Sequence, residues 1–153
     1  MKECFFGHRD TVITEPLKKR VYESIEEDIT KGFDTFYFGG FGSFDELCYQ
    51  VVTELKTTYT DIKRVYILTD RRHLQESKRP KYLKDGDYED FVYICLPYDY
   101  WYTRLYYRNR AIIDQCDKSC FYVDHENDSG AYNALQYAIK KKKQVYNFFI
   151  DKK

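Results

Sequence analysis

The chain has 153 residues, with 25 basic and 25 acidic side chains and a formal charge of zero. That length suits one domain around a single core, and the charge balance argues against bulk electrostatic binding of nucleic acid or acidic membrane, which needs a basic excess. Cys4, Cys48, Cys95, Cys116 and Cys120 are odd in number, lack C-x-x-C spacing and lie in or beside apolar runs, so they read as buried, reduced thiols rather than a metal or disulfide set.

The first residues, ECFFGHR, predict a short buried strand ending at Gly7. Thr14 and Pro16 then supply a helix start, and Leu17, Val21, Ile25 and Ile29 recur every four residues as one apolar stripe ending near Gly32. DTFYF is a second strand, closed by the stretch GGFGS. Phe44, Leu47, Cys48, Val51, Val52 and Leu55 mark a second amphipathic helix, and IKRVYILT a third strand. Residues 70–90 are polar, carry both signs of charge and lack a clear period, which predicts a partly helical excursion with a loop. FVYICLP is a fourth strand, 100–115 a helix and KSCFYVD a fifth strand. Residues 129–142 form a helix with Ala131, Leu135, Ala138 and Ile139 inward, and QVYNFFI closes as a sixth strand. Strand and helix alternate throughout, and the strands are apolar on both faces. The expectation is a single α/β domain over 1–153, a Rossmann-like three-layer sandwich with a mostly parallel sheet of about six strands and helices on both faces. No apolar run reaches the ~18 residues of a membrane helix and no signal-peptide pattern opens the chain, so a soluble, cytoplasmic setting is expected.

In such sheets ligands sit beyond the carboxyl ends of the strands. Four stretches share that edge: Gly7-His8-Arg9, Gly39-Gly40-Phe41-Gly42-Ser43, Leu96-Pro97 with the helix after it, and Asp124 to Gly130. The second and the last place glycine and serine at a helix start, where unpaired backbone N–H groups and the helix dipole suit a phosphate. Ser43 and Glu46 also fit the capping box S-x-x-E, a purely structural device. Ser129 or Asp128 as an N-cap, Lys140 to Lys143 as a solvated helix end and His8 as a structural histidine are equally plain alternatives. Trp101 reads as core or pocket wall. Arg108, Asn109 and Arg110 fall within one helical turn, and arginines form forked hydrogen bonds to phosphate or carboxylate. The 17 tyrosines hint at a stacking surface.

In that order, GHR, GGFGSFDE, RNRAIID and SGAYNALQYAIKKKKQVYNF resemble the SLOG superfamily, which includes the Lonely Guy phosphoribohydrolases and the DNA-processing protein A fold. The resemblance spans nearly the whole chain and is most like the small YpsA-like branch. It implies a pocket for a nucleotide or nucleotide-derived ligand, lined by Gly7, His8, Arg9, Gly39, Gly40, Phe41, Gly42, Ser43, Arg108, Asn109, Arg110, Ser129 and Gly130. Lonely Guy enzymes cleave an N-glycosidic bond with P-G-G-x-G-T-x-x-E and an R-K pair. Here Gly39, Gly40 and Gly42 match the glycines, Ser43 the threonine and Glu46 the acid. Phe38 replaces the proline, and Asn109-Arg110 stands where the R-K pair would. The implied function is therefore nucleotide binding as a sensor or regulatory domain. The alternative is a hydrolase or transferase on the N-glycosidic bond of a nucleoside monophosphate, with Glu46, helped by Asp45, and Arg110 catalytic. No motif calls for a cofactor or a metal, nucleic acid is not the expected partner, and a homodimer is an open expectation because related domains often dimerise.

Overall fold

Alternation along each strand decides which of two cores a side chain enters. In β1 (Lys2–Gly7), Phe5 enters one core while Cys4 and Phe6 enter the other. In β2 (Thr35–Phe38), Phe36 and Phe38 join Phe5, and Tyr37 joins Cys4 and Phe6. Such two-sided burial is the signature of a sheet covered by helices on each face. The computed structural model describes residues 1–39, 42–81, 83, 86–96, 101–125 and 130–149, with backbone alone for 101–105.

The other elements follow in chain order: α1 (Glu15–Thr30), α2 (Gly42–Leu55), β3 (Lys63–Leu68), two 3-10 turns (Arg71–Leu74 and Glu76–Lys78), β4 (Asp90–Tyr93), α3 (Trp101–Gln115), β5 (Lys118–Tyr122), α4 (Gly130–Lys140) and β6 (Gln144–Asn147). Thr14 caps α1 by accepting from the Leu17 amide at 3.2 Å, and Pro16 sits in the first turn, where a missing N–H costs nothing. The apolar stripes of α1 and α2 (Leu17, Val21, Ile25; Phe44, Cys48, Val52, Leu55) fill the first core, and Ile112, Ile113, Ala131, Ala134 and Ala138 of α3 and α4 fill the second. The fold is thus an α/β three-layer sandwich of Rossmann-like type.

Every adjacent strand pair is parallel, in the order β4-β3-β2-β1-β5-β6. The chain builds outward from β1 to β4, then returns to the other side of β1 with β5. The order therefore reverses between β1 and β5, and helices leave on opposite faces there. Open parallel sheets have their ligand crevice at such a reversal.

Several expectations are corrected. Ile139 is 54% exposed; Ala134, three residues after Ala131 and four before Ala138, takes the inward place instead. Cys95 is exposed just beyond the short edge strand β4, whereas Cys4, Cys48, Cys116 and Cys120 are buried free thiols. β4 and β6 are only half-buried, because an edge strand has one neighbour and less helix above it. No helix among the described residues is long and apolar enough to cross a membrane.

Candidate functional site

The turn between β2 and α2 is built by close packing. A β-carbon on Gly39 would lie 2.8 Å from the Arg108 guanidinium, so only glycine lets that side chain cover the turn. Arg108 Nη1 donates to the Gly39 carbonyl at 3.3 Å and Nη2 to Asn109 Oδ1 at 3.1 Å. Gly42 has φ +89°, a left-handed conformation, and a β-carbon there would meet the Arg9 backbone at 2.9 Å. Gly7 lies against Phe44 with no room for a side chain, which seats the start of α2 on the end of β1.

The capping box expected at Ser43 and Glu46 is replaced by a tertiary contact. The Ser43 amide donates to the Arg9 carbonyl at 3.3 Å and its hydroxyl to the Thr11 carbonyl at 2.6 Å, so the loop after β1 is tied to the start of α2. Glu46 instead accepts from Gln50 Nε2, one turn on. Arg9 is exposed beside this junction. Gly40, Phe41 and Ser129 lie outside the described residues, as do Pro97, Asp128 and the Trp101 side chain.

Of the three consecutive residues on α3, Arg108 reaches the glycine turn, Asn109 faces the start of α4 and Arg110 points elsewhere. Arg108 and Asn109 are buried, and Asn109 Nδ2 faces Gly130 at the start of α4. Burial pushes the Arg108 pKa down from its usual value, opposed by the negative charge of Asp45. Arg110 donates through Nη2 to the Tyr106 hydroxyl at 2.6 Å, and its guanidinium carbon lies 4.3 Å from the Tyr106 ring centroid and 5.0 Å from that of Tyr137. Arg110 is therefore engaged between α3 and α4.

Beside the glycine turn opens a cavity of about 350 Å³, lined by Phe38, Gly42, Asp45, Glu46, Tyr49, Tyr66, Leu83 and Tyr88. That volume is in the range of small-molecule sites. Its aromatic wall is continuous: Tyr49 and Tyr88 centroids are 5.0 Å apart, Tyr66 and Tyr88 5.1 Å, and Phe38 and Tyr49 5.5 Å in an edge contact. Burial pushes the Tyr88 phenol up, with Tyr49 and Tyr66 adding to the rise. Asp45 is buried and Glu46 exposed, so this end of the pocket carries negative charge.

Arg64 of β3 holds the wall in place. Its Nε and Nη2 fork onto both Glu89 oxygens at 3.0 and 2.7 Å, Nη1 reaches Thr53 Oγ1 at 3.2 Å, and Nη2 also donates to the Gly86 carbonyl at 3.1 Å. Tyr49 donates to the Asp87 carbonyl at 2.7 Å. The loop carrying Tyr88 is thus bound to α2 and β3 by polar contacts from both.

At the reversal between β1 and β5 stands a second group. His8 Nε2 lies 3.3 Å from Asp124 Oδ1, His125 Nδ1 is hydrogen-bonded to the same oxygen, and the two imidazoles stack with centroids 4.2 Å apart at 18°. His8 is buried, while Asp124 and His125 are exposed. Burial holds the His8 imidazole below its usual pKa, as does His125, while Asp124 and Asp10 act the other way.

The sequence reading gave Asp45 only a helping place beside Glu46, and it missed Tyr49, Tyr66, Tyr88 and Arg64. A signal existed for Asp45, which precedes Cys48 and Val52 by three and seven residues and so shares their buried stripe. Tyr88 and its clamp carry no local signal, because their partners lie far away in sequence.

A fully parallel sheet whose strand order reverses between β1 and β5, with a glycine turn leading into α2, defines an α/β domain of Rossmann-like type. The chain belongs to the YspA SLOG family, whose model matches residues 2–152. Among solved structures it is similar to DNA processing protein A from Helicobacter pylori, described for its single-stranded DNA binding mode, at 13% identity and a TM-score of 0.61, covering 96% of this chain and 64% of that one. The chain thus spans just under two thirds of that protein. It is also similar to TM1055, at 19% identity and a TM-score of 0.57, covering 95% of this chain and 72% of that one. At such identities the likeness is one of fold. No curated protein sequence matches the chain.

Proposed function

We propose that the cavity beside the glycine turn binds the aromatic ring of a nucleotide or nucleotide-derived ligand, and that the protein acts as a sensor or regulatory domain. The observation that carries this reading is the wall of Phe38, Tyr49, Tyr66 and Tyr88 next to Gly42. Base–aromatic stacking is worth about 1–3 kcal/mol per base. Asp45 and Glu46 suit the amino or hydroxyl groups of a base or ribose, whose N–H and O–H donate to carboxylates. They repel phosphate, so the phosphate end points out of the cavity, toward Gly42 and the exposed Arg9.

The binding reading is favoured over turnover by Arg110, whose guanidinium is engaged with Tyr106 and Tyr137, and by Phe38 and Asn109 standing where the Lonely Guy motifs carry proline and arginine. Calorimetry against nucleoside monophosphates, nucleotide sugars, cyclic dinucleotides and short single-stranded DNA tests it. At least one of the small ligands binds, and Tyr88→Ala weakens that binding about tenfold. Binding of none, or of DNA alone, sinks the proposal. The hydrolase reading keeps one supporting observation, the buried Asp45 whose charge acts on Arg108. Chromatography of nucleoside monophosphates after incubation shows free base if it holds. Equal traces from wild type, Asp45→Asn and Glu46→Gln remove it.

A further inference from the structure

We propose that His8, Asp124 and His125 form a binding site for a late first-row divalent cation such as Zn²⁺. One ligand atom from each lies within 4.8 Å of the other two. His8 Nε2 lies 3.3 Å from Asp124 Oδ1 and His125 Nδ1 meets the same oxygen, so small side-chain rotations bring all three donors onto one cation at bonds of about 2.1 Å. Two imidazole nitrogens and one carboxylate suit Zn²⁺ and its neighbours better than Mg²⁺ or Ca²⁺, which prefer oxygen ligands throughout. Three protein donors leave a fourth position for water or a ligand group. This site is independent of the aromatic cavity and of the nucleotide reading.

The backbones that carry the donors are held by the sheet. The His8 amide donates to the Tyr122 carbonyl at 3.2 Å, and the His8 carbonyl accepts from the Thr11 amide at 3.1 Å and from the Thr11 hydroxyl at 2.7 Å. On the neighbouring strand, the Asn147 side chain clamps Val123 from both sides, accepting from its amide at 3.1 Å and donating to its carbonyl at 3.0 Å. Val123 precedes Asp124 directly. Both backbones that carry ligands are therefore fixed relative to each other through the β1–β5 pairing, as the support around a metal site must be. The position is also the strand-order reversal, where the crevice of an open parallel sheet lies. Asp10, whose charge reaches His8, adds a second carboxylate to the local potential.

The test uses the full chain with any histidine tag removed, stripped with a chelator and titrated with Zn²⁺ against a chromophoric competitor, and separately with Co²⁺. One equivalent binds, and Co²⁺ gives the intense visible bands of a low-coordinate site. His125→Ala and Asp124→Asn each lose about tenfold or more in affinity. His73→Ala, which removes the remaining histidine of the chain, binds as wild type. His125 is 56% exposed by its side chain, so its loss leaves the fold intact, which circular dichroism verifies; the buried His8 need not be touched. Absence of stoichiometric binding, unchanged affinity in His125→Ala, or an equal loss in His73→Ala overturns the proposal.

Discussion

Glu3 is a fully buried carboxyl group in the first strand. The Cys120 thiol of β5 donates to its Oε1 at 2.9 Å. Asp28 of α1 lies beside it, held by Lys118 Nζ of β5 at 2.8 and 2.9 Å, and the Glu3 charge also reaches the buried Cys48 thiol of α2. Burial pushes the Glu3 pKa well above its ordinary 4.5, and Asp28 raises it further, against Cys120 and Lys118. The folded chain therefore keeps a proton that the unfolded chain releases above the ordinary value. The sign follows: the stability from this group is complete below that value and is lost as the pH climbs toward the folded one. The loss runs at about 1.4 kcal/mol per pH unit within that window. Glu3→Gln mimics the protonated acid and is free of this loss. Denaturant titrations from about pH 5 to pH 8 should show the variant gaining on wild type as the pH rises, and parallel curves would refute the assignment. Charge alone could not reveal this site: β1 begins Lys2-Glu3, and an acid at a strand start looks exposed. The same blindness put Glu46 ahead of Asp45, although helical spacing distinguishes them.

Among the elements, the loop 86–89 shows how a cavity wall can be fixed from a distance. Glu89 is bound by Arg64 through side chain and backbone alike, the Arg64 amide donating to Oε1 at 2.9 Å. Burial alone would raise the Glu89 pKa, yet the hydrogen bonds from Arg64, its charge and that of Lys56 hold it below the ordinary value. For a depressed acid the contribution is present above the ordinary pKa and is lost as the pH falls through the folded one. Glu89→Gln keeps the shape and removes the charge. It is expected to lower stability by about 1–2 kcal/mol at neutral pH, with the gap closing in acid, and to weaken ligand binding because Tyr88 is its neighbour. A variant with wild-type stability at both pH values contradicts this account. The excursion over 70–90 was legible only as polar and aperiodic. The 3-10 turns at 71–78 are held by local contacts, but the loop 86–89 is ordered by contacts made 25 residues apart in sequence, which no local window contains. Ile139 illustrates the opposite limit: the stripe of α4 was visible, but alanines at 131, 134 and 138 define it more closely than the larger side chains do.

On the scale of the whole molecule, the sandwich was legible because each strand writes its two faces into alternate residues and each helix writes one stripe. The order β4-β3-β2-β1-β5-β6 was not, since pairing between β1 and β5 joins residues more than a hundred positions apart. That order governs how the protein opens. β1 and β5 are buried along nearly their whole length, whereas β4 and β6 have one neighbour each and are half-exposed. Local opening follows burial and hydrogen bonding, so amides of Phe5, Phe36 and Phe121 should exchange only with global unfolding, and those of Phe91 and Tyr146 earlier. A ligand in the aromatic cavity stabilises the conformations that bind it. Tyr88 lies two residues before β4 and meets Phe91 at 5.7 Å. Hydrogen exchange with and without a bound nucleotide should therefore slow 86–93 and leave β6 unchanged, because β6 lies at the far edge of the sheet. Uniform protection along the sheet would show that the edges do not open separately. Equal slowing of both edges would place the ligand elsewhere than the cavity.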